Sequence, residues 1–302
     1  MPDRPMRWGA EALWEQLTPL LPGLSVEVVA RISSTNTALL ERARIVQPAG
    51  DDSDAAQVRR SVESTAFGRR AADLQPCLLV AEHQTHGRGR QGRVWQAAPG
   101  ASLTFSLGLP LAPKDWSGLS LAIGVALADA LDPPVEGQPP RIAVKWPNDL
   151  FLLDEQHDGG RKLGGILIET VAAGTRRLAV IGVGLNVQPL SASDSAGGFA
   201  SVQEIDPAAT APDVLARVAR PLVEALRRFE REGFAGAAAG FARRDLLRGR
   251  TVRTTHPDVP EGVALGVTDD GALRIRTPSG DVKSVVSGEV SVRLQPAGGA
   301  PC

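Results

Sequence analysis

The chain has 302 residues, 43% of them apolar, which is enough to bury a full core and to divide into one large domain and a smaller one. Its 33 Lys+Arg against 34 Asp+Glu leave a net charge of -1, which excludes the basic field behind sequence-independent nucleic-acid binding, so any contact with phosphate has to be local. Cys77, in an apolar run, and Cys302, the last residue, supply neither a disulfide framework nor a metal cluster. No signal-type segment and no run of about 18 apolar residues marks export or membrane insertion, so a reducing cytoplasm is the expected compartment.

In the first segment Ala10, Leu13, Trp14, Leu17 and Leu21 recur at helical spacing and Pro22-Gly23 ends the run, which predicts a short amphipathic helix. Val26, Val28, Val29 and Ile32 read as a strand, after which Ser33-Ser34-Thr35-Asn36 offers capping side chains to a helix carrying Leu39 and Leu40. No unit the size of a helix-turn-helix precedes Ser33, so no DNA-binding domain is expected there. From about Val46 to Gln75 the chain is polar and mixed in charge; it is expected to be an excursion, partly helical around Val58 to Ala72, and tolerated filler rather than a lid or a partner surface.

Cys77 to Ala81 and Leu103 to Leu109 are strands of buried type, and Leu119 to Leu131 is a helix stopped by Pro133 and Pro134. Ile142 to Trp146, Leu150 to Leu153, Leu163 to Val171 and Leu178 to Val187 follow as apolar stretches with short turns, which indicates a mainly antiparallel sheet. Helices are expected over Ala211 to Glu232 and Phe234 to Leu247. Beyond Gly249 come short strands (Thr251 to Thr255, Gly262 to Thr268, Leu273 to Thr277, Val282 to Val286 and Val290 to Leu294) with turns such as Asp270-Gly271 and Ser279-Gly280, a small all-β domain of barrel type. The tail PAGGAPC is expected to be disordered.

Four stretches carry candidate chemistry. Gly87-Arg88-Gly89-Arg90-Gln91-Gly92-Arg93 directly follows a strand and precedes Trp95: its glycines let backbone approach a ligand while its guanidinium groups surround an anion, although a solvated basic loop has the same composition. Lys145-Trp146-Pro147-Asn148-Asp149 holds Asn148 and Asp149 at a stiffened turn, a geometry that suits a ligand and an ordinary turn alike. In Lys162-Leu163-Gly164-Gly165-Ile166-Leu167-Ile168-Glu169, a lysine beside two glycines is placed to meet a reacting phosphate or carboxylate. Gly182-Val183-Gly184-Leu185-Asn186-Val187 reads equally as a bulge or a ligand contact.

Taken in order with SSTN at 33 to 36, the segments GRGRQGRVW, KWPNDL, KLGGILIE and GVGLNV resemble the biotin protein ligase family from about Val28 to Leu294. The C-terminal GRTVR, DDGALRI and SGEVSVR segments look like that family's SH3-like module. The resemblance implies an α+β fold with a mixed, mainly antiparallel sheet and packed helices over 1–248, an SH3-like β-barrel over 249–295 and a disordered tail over 296–302. It implies ATP and biotin as substrates, Mg²⁺, and a biotin carboxyl carrier protein of acetyl-CoA carboxylase or a related carboxylase as partner. DNA and membrane are not implied, and a homodimer is left open.

Residue by residue, the resemblance implies that Ser34, Thr35, Asn36 and Gln84 line the biotin pocket, with Gly87, Arg88, Gly89 and Arg90 closing over the ligand. Lys162 would serve the biotin carboxylate and the α-phosphate, and Gly165 would let the backbone pass the biotin tail. Arg90, Arg93, Trp95, Lys145, Asn148, Lys162 and Asn186 would serve the nucleotide; no residue is assigned to the metal. Arg88, Arg90 and Lys162 would neutralise carboxylate and triphosphate during in-line attack, and Asp149 is the candidate to orient or deprotonate the acceptor lysine. The rival readings are a lipoate protein ligase and a non-catalytic protein that binds biotin or its adenylate.

Overall fold

The first helical run gives α1 (Ala10–Leu17), with Leu13 and Leu17 buried. It stops one turn earlier than its apolar spacing predicts, in a turn where Leu20 donates to the Leu17 carbonyl at 3.0 Å and Leu21 is buried, while the Trp14 indole donates to the Leu24 carbonyl at 2.9 Å. The computed structural model describes residues 6–44, 64–67, 74–173, 176–189, 198–286 and 292–294. These fall into two units: Met1–Ala112 with Leu167–Gln188 and Ala208–Arg220, and Pro113–Ile166 with Pro189–Pro207 and Pro221–Cys302.

In the first unit follow β1 (Ser25–Ile32), α2 (Thr35–Arg44), β2 (Ser64–Phe67), β3 (Cys77–Gln84) and β4 (Ser102–Pro110). Then come β7 (Arg161–Ala173) from Leu167 onward, β8 (Arg176–Asn186) and the start of α4 (Ala211–Glu232). The strand order β2-β1-β3-β4-β8 contains one parallel pair, β1 with β3, and is otherwise antiparallel. Leu39, Leu40 and Ala43 of α2 pack on Val29, Cys77, Leu79, Ala81, Leu178 and Val180, every second residue of their strands. Leu78 and Val80 point the other way and are buried too, which is why CLLVA reads as an unbroken apolar run.

Ser64–Phe67 corrects the helical expectation for this stretch. It is a strand, antiparallel to β1, where it satisfies backbone groups that an edge strand would otherwise leave open. The rest of the excursion, 46–63 and 68–73, and the tail 296–302 lie outside the described residues.

The second unit holds α3 (Leu119–Leu131), β5 (Ile142–Lys145), β6 (Asp149–Leu152), the beginning of β7, the rest of α4 after Pro221, and α5 (Ala235–Arg244). Helix α3 lies close on β5 because residue 124 is glycine: a Cβ there would come within 3.1 Å of Val144. The C-terminal strands β9 (Thr251–Thr254), β10 (Glu261–Val267), β11 (Leu273–Arg276), β12 (Val282–Val285) and β13 (Val292–Leu294) form an antiparallel sheet in the order β12-β11-β10-β9-β13. The turn between β10 and β11 reaches Trp146, whose fully buried indole donates to the Gly271 carbonyl at 3.1 Å. Among the described residues no helix is long and apolar enough to cross a membrane.

Arg244, its side chain 2% exposed, closes the far end of this unit. It donates to Asp129 at 2.7 Å, to Asp132 at 2.9 Å and to the Ile142 carbonyl at 2.7 Å, tying α5 to α3 and β5. Arg244→Leu removes the partner of two carboxylates and a strand-end carbonyl, and is expected to cost about 3 kcal/mol. Urea unfolding of the variant against wild type measures this; an unchanged midpoint would refute it.

Candidate active site

The Gly/Arg segment is a folded hairpin. Gly89 donates to the Arg93 carbonyl at 2.7 Å and Trp95 to the Gly87 carbonyl at 2.9 Å, with Arg88 bridged to Val94. Its tip, a 3-10 turn over Arg90–Gly92, places Gln91 at φ 56° and Gly92 at φ 70°. Gly87 has to be glycine because a Cβ would meet the Trp95 carbonyl at 2.4 Å. These bonds decide against a loose solvated loop.

The glycines of GVGLNV also acquire a reason. Strand β8 keeps regular register with β4, Thr104 opposite Gly184 and Ser106 opposite Gly182, so no bulge is present. A Cβ at Gly184 would lie 2.4 Å from the Trp95 ring and one at Gly182 2.3 Å from Asn36 Oδ1. Both positions are kept bare for a neighbour's side chain. Asn186, buried at the strand's end, stands opposite Ser102.

Of the predicted biotin-pocket group, Ser34 caps α2, accepting from the Thr37 amide at 3.4 Å. Thr35 donates its backbone N–H to Gln84 Oε1 at 2.8 Å. Asn36 donates from Nδ2 to Glu169 at 2.9 Å and to the Leu167 carbonyl at 3.2 Å. Ser106 Oγ lies 2.6 Å from both Thr35 Oγ1 and Asn36 Oδ1. An amide oxygen only accepts, so Asn36 Oδ1 takes its proton from Ser106, while the Thr35 hydroxyl also reaches Gln84 Oε1 at 3.1 Å. Glu169 in turn holds Arg88, Oε1 to Nη2 at 3.0 Å and Oε2 to Nη1 at 3.3 Å.

Ser106 and Glu169 were not among the residues singled out from the sequence. The available signal was a hydroxyl at every second position, Ser102, Thr104 and Ser106, of the otherwise apolar strand SLTFSLGLP, and an acid closing KLGGILIE.

In the second unit, Lys162 Nζ lies 2.7 Å from Asp149 Oδ1. A β-bulge makes this pairing. Asp149 stands opposite Gly165 and Leu150 opposite Gly164, but Phe151 then pairs with Lys162, which leaves Leu163 as the extra residue. Without the bulge Leu163 would face Phe151 and Lys162 would point to the opposite side of the sheet. With it, Asp149, Phe151, Lys162 and Gly165 share one face. Lys145, opposite Asp149 on β5, joins them, its Nζ 5.1 Å from the centre of the Phe151 ring.

Gly165 keeps this face open: a Cβ there would stand 3.2 Å from Asp149 Oδ1 and 3.5 Å from Lys162 Nζ. Asn148, after the cis Trp146-Pro147 bond, turns the other way and donates to the Ile166 carbonyl at 2.7 Å. Its side chain therefore fastens the turn to β7.

Arg161, the neighbour of Lys162, is immobilised by carboxylates. Its Nε donates to Asp154 at 2.9 Å and its Nη1 to Glu204 at 3.2 Å. The Glu204 hydrogen bond raises the Arg161 pKa above its ordinary value despite burial. Burial pushes Asp154 up, yet hydrogen bonds from His157 and Arg161 outweigh it and hold the carboxyl at about 2. Among the described residues no three His, Cys, Asp or Glu side chains converge to hold a metal ion.

Residues 63–186 match the biotin/lipoate A/B protein ligase family, which sets the class, and residues 249–293 match the biotin protein ligase C-terminal domain. The biotin-[acetyl-CoA-carboxylase] ligase of Mycobacterium tuberculosis (strain ATCC 25618 / H37Rv) is 32% identical over 281 residues, covering 88% of this chain and 85% of that protein. The bifunctional ligase/repressor BirA of Escherichia coli (strain K12) is 32% identical over 285 residues, 92% of this chain and 77% of its own length. In structure, a biotin protein ligase from Aquifex aeolicus in complex with biotin and ATP is similar at a TM-score of 0.65, with 25% identity over 89% of this chain and 99% of that one. The chain belongs to the biotin protein ligase family.

Two outcomes are expected. The lowered Asp154 pKa contributes stability that is complete above the ordinary 3.8 and is lost as pH falls toward about 2. The gap in urea midpoint between wild type and Asp154→Asn should therefore be wide at about pH 6, shrink below the ordinary 3.8 and close only as pH falls through about 2; a gap independent of pH would overturn it. Gly184→Ala forces a methyl into the Trp95 ring and should cost about 1–3 kcal/mol, most of it recovered in a Trp95→Ala background. Equal costs in both backgrounds would mean that the ring is not what excludes a side chain.

Proposed function

We propose that this ligase works through Lys162, Arg88 and Arg90 to join biotin and ATP as biotinyl-5′-AMP with release of pyrophosphate, and then passes the biotinyl group to a lysine of a carrier protein. Lys162 carries the reading. It is a cation held by a carboxylate at 2.7 Å, on a strand face kept open by Gly165. A carboxylate and a triphosphate repel each other, so fixed cations at the point of attack lower the barrier by neutralising them without reorganising. ATP arrives as its Mg²⁺ complex, in which phosphates and water supply most of the metal's oxygens.

Arg88 and Arg90, on a hairpin fixed by its own backbone bonds, serve the carboxylate and phosphate of the intermediate together with Gly87 and Gly89. Thr35, Asn36 and Gln84 form the polar wall for the biotin ring, with Ser34 fixing the helix that carries two of them. Arg93, Trp95, Lys145 and Asn186 serve the nucleotide, Lys145 with Phe151 at its side. Asn148 acts by holding its turn. Asp149 orients Lys162 in the first half-reaction and receives the acceptor lysine in the second. The acceptor is the biotin carboxyl carrier protein of acetyl-CoA carboxylase or a related carboxylase, and the compartment is the cytoplasm. The catalytic domain extends over 1–248 and the SH3-like module over 249–295.

Lys162→Ala is expected to lower biotin-dependent pyrophosphate release by about 10²–10³-fold with the fold unchanged. Release is followed with biotin and, separately, with lipoate. A wild-type rate in the variant would remove Lys162 from the mechanism, and release driven by lipoate instead of biotin would overturn the choice of substrate.

A further inference from the structure

The geometry points to Glu169 as a positioning residue for the ligation: its carboxylate, anchored from inside through Asn36 and Ser106, holds the Arg88 guanidinium so that its remaining donors meet the anionic ligand. This rests on the role given to Arg88 above. The carboxylate engages Arg88 through both oxygens, to Nη2 at 3.0 Å and to Nη1 at 3.3 Å, and Nη1 also reaches Thr37 Oγ1 at 3.4 Å. The Nε hydrogen and one Nη2 hydrogen are left without a partner among the described residues, on a side chain that is 47% exposed. A fork bound on one side by a carboxylate presents its other donors in a fixed plane.

The anchor lies behind Glu169. Its Oε2 accepts from Asn36 Nδ2 at 2.9 Å, Asn36 Oδ1 accepts from Ser106, and Asn36 and Ser106 are both buried. Gly182 makes room for the Asn36 amide, where a Cβ would stand 2.3 Å from Oδ1. A long exposed arginine loses much rotamer freedom when it is immobilised. In this arrangement that loss occurs on folding, so it does not weaken ligand binding.

The experiment measures KM for biotin and kcat of biotin-dependent pyrophosphate release in the full chain. The variants are Glu169→Gln, which keeps shape and an acceptor for Asn36 but removes the charge, Glu169→Asp, Arg88→Ala and the double variant Glu169→Gln/Arg88→Ala. Glu169→Gln should raise KM for biotin roughly ten- to a hundredfold, the worth of one charge-assisted hydrogen bond, with Tm held within a few degrees. Glu169→Asp should recover part of this. In the Arg88→Ala background Glu169→Gln should change KM no further, because the glutamine keeps the acceptor for Asn36 and the charge it removes acts through that arginine.

A KM like wild type in Glu169→Gln, a lower KM, or equal effects in both backgrounds would overturn the proposal. Should Glu169→Gln not fold, Glu169→Asp carries the same test: its KM increase should shrink in the Arg88→Ala background, and a wild-type KM or an equal increase in both backgrounds would overturn the proposal. Absence of biotin-dependent release in the wild-type chain would instead refute the reading of function on which this rests.

Discussion

A polar group enclosed by a sheet and a helix has to be answered there, and the first unit is organised around one such group, the Asn36 amide. It is 3% exposed at the start of α2. Left unanswered, a buried amide costs more than a hydrogen bond returns. Ser106 of β4 meets its oxygen, Glu169 and the Leu167 carbonyl of β7 meet its nitrogen, and Gly182 of β8 leaves it space. Three strands thus have their side chains dictated by one residue of a helix, and the hairpin arginine at the surface is aligned by what lies beneath it.

The second unit reaches order by displacing a residue. Its charged face exists because β7 carries one residue more than β6 between Arg161 and Gly164, so that Lys162 turns toward Asp149. A cation and a carboxylate so close cancel in net charge but leave a dipole at a partly exposed surface, whose positive end an anion can approach. The paired glycines of KLGGILIE then have separate duties. Gly164 lies in register next to the bulge, and Gly165 leaves the face clear.

Much of this was legible in the chain itself where the cause is local. Helix α3 runs from Leu119 to Leu131 as read, because its apolar residues are continuous and two prolines follow. Helix α4 keeps its predicted limits because Thr210 and Asp213 cap it reciprocally, the Asp213 amide donating to Thr210 Oγ1 at 3.4 Å. What escaped depends on partners far along the chain. Strand β2 is set by the free edge of β1, the bulge by a register seen only when two strands meet, and Glu169 and Arg244 by ion pairs across 81 and 112 or more residues. The glycines of GVGLNV read equally as a bulge or a ligand contact, because the ring and the amide that exclude a side chain there belong to distant segments.

The turn at Gly271 bears on how such a protein can be recombined. Its carbonyl receives the Trp146 indole hydrogen, and a Cβ on it would stand 2.8 Å from the Gly118 Cα. Backbone therefore rests on backbone where the C-terminal sheet meets α3 and the KWPND turn. A transplanted module from another protein would dock only if its own hairpin tip were equally bare and offered a carbonyl at the same point. Module and turn are thus fitted to each other, and chimaeras that separate them would leave the Trp146 indole without its acceptor.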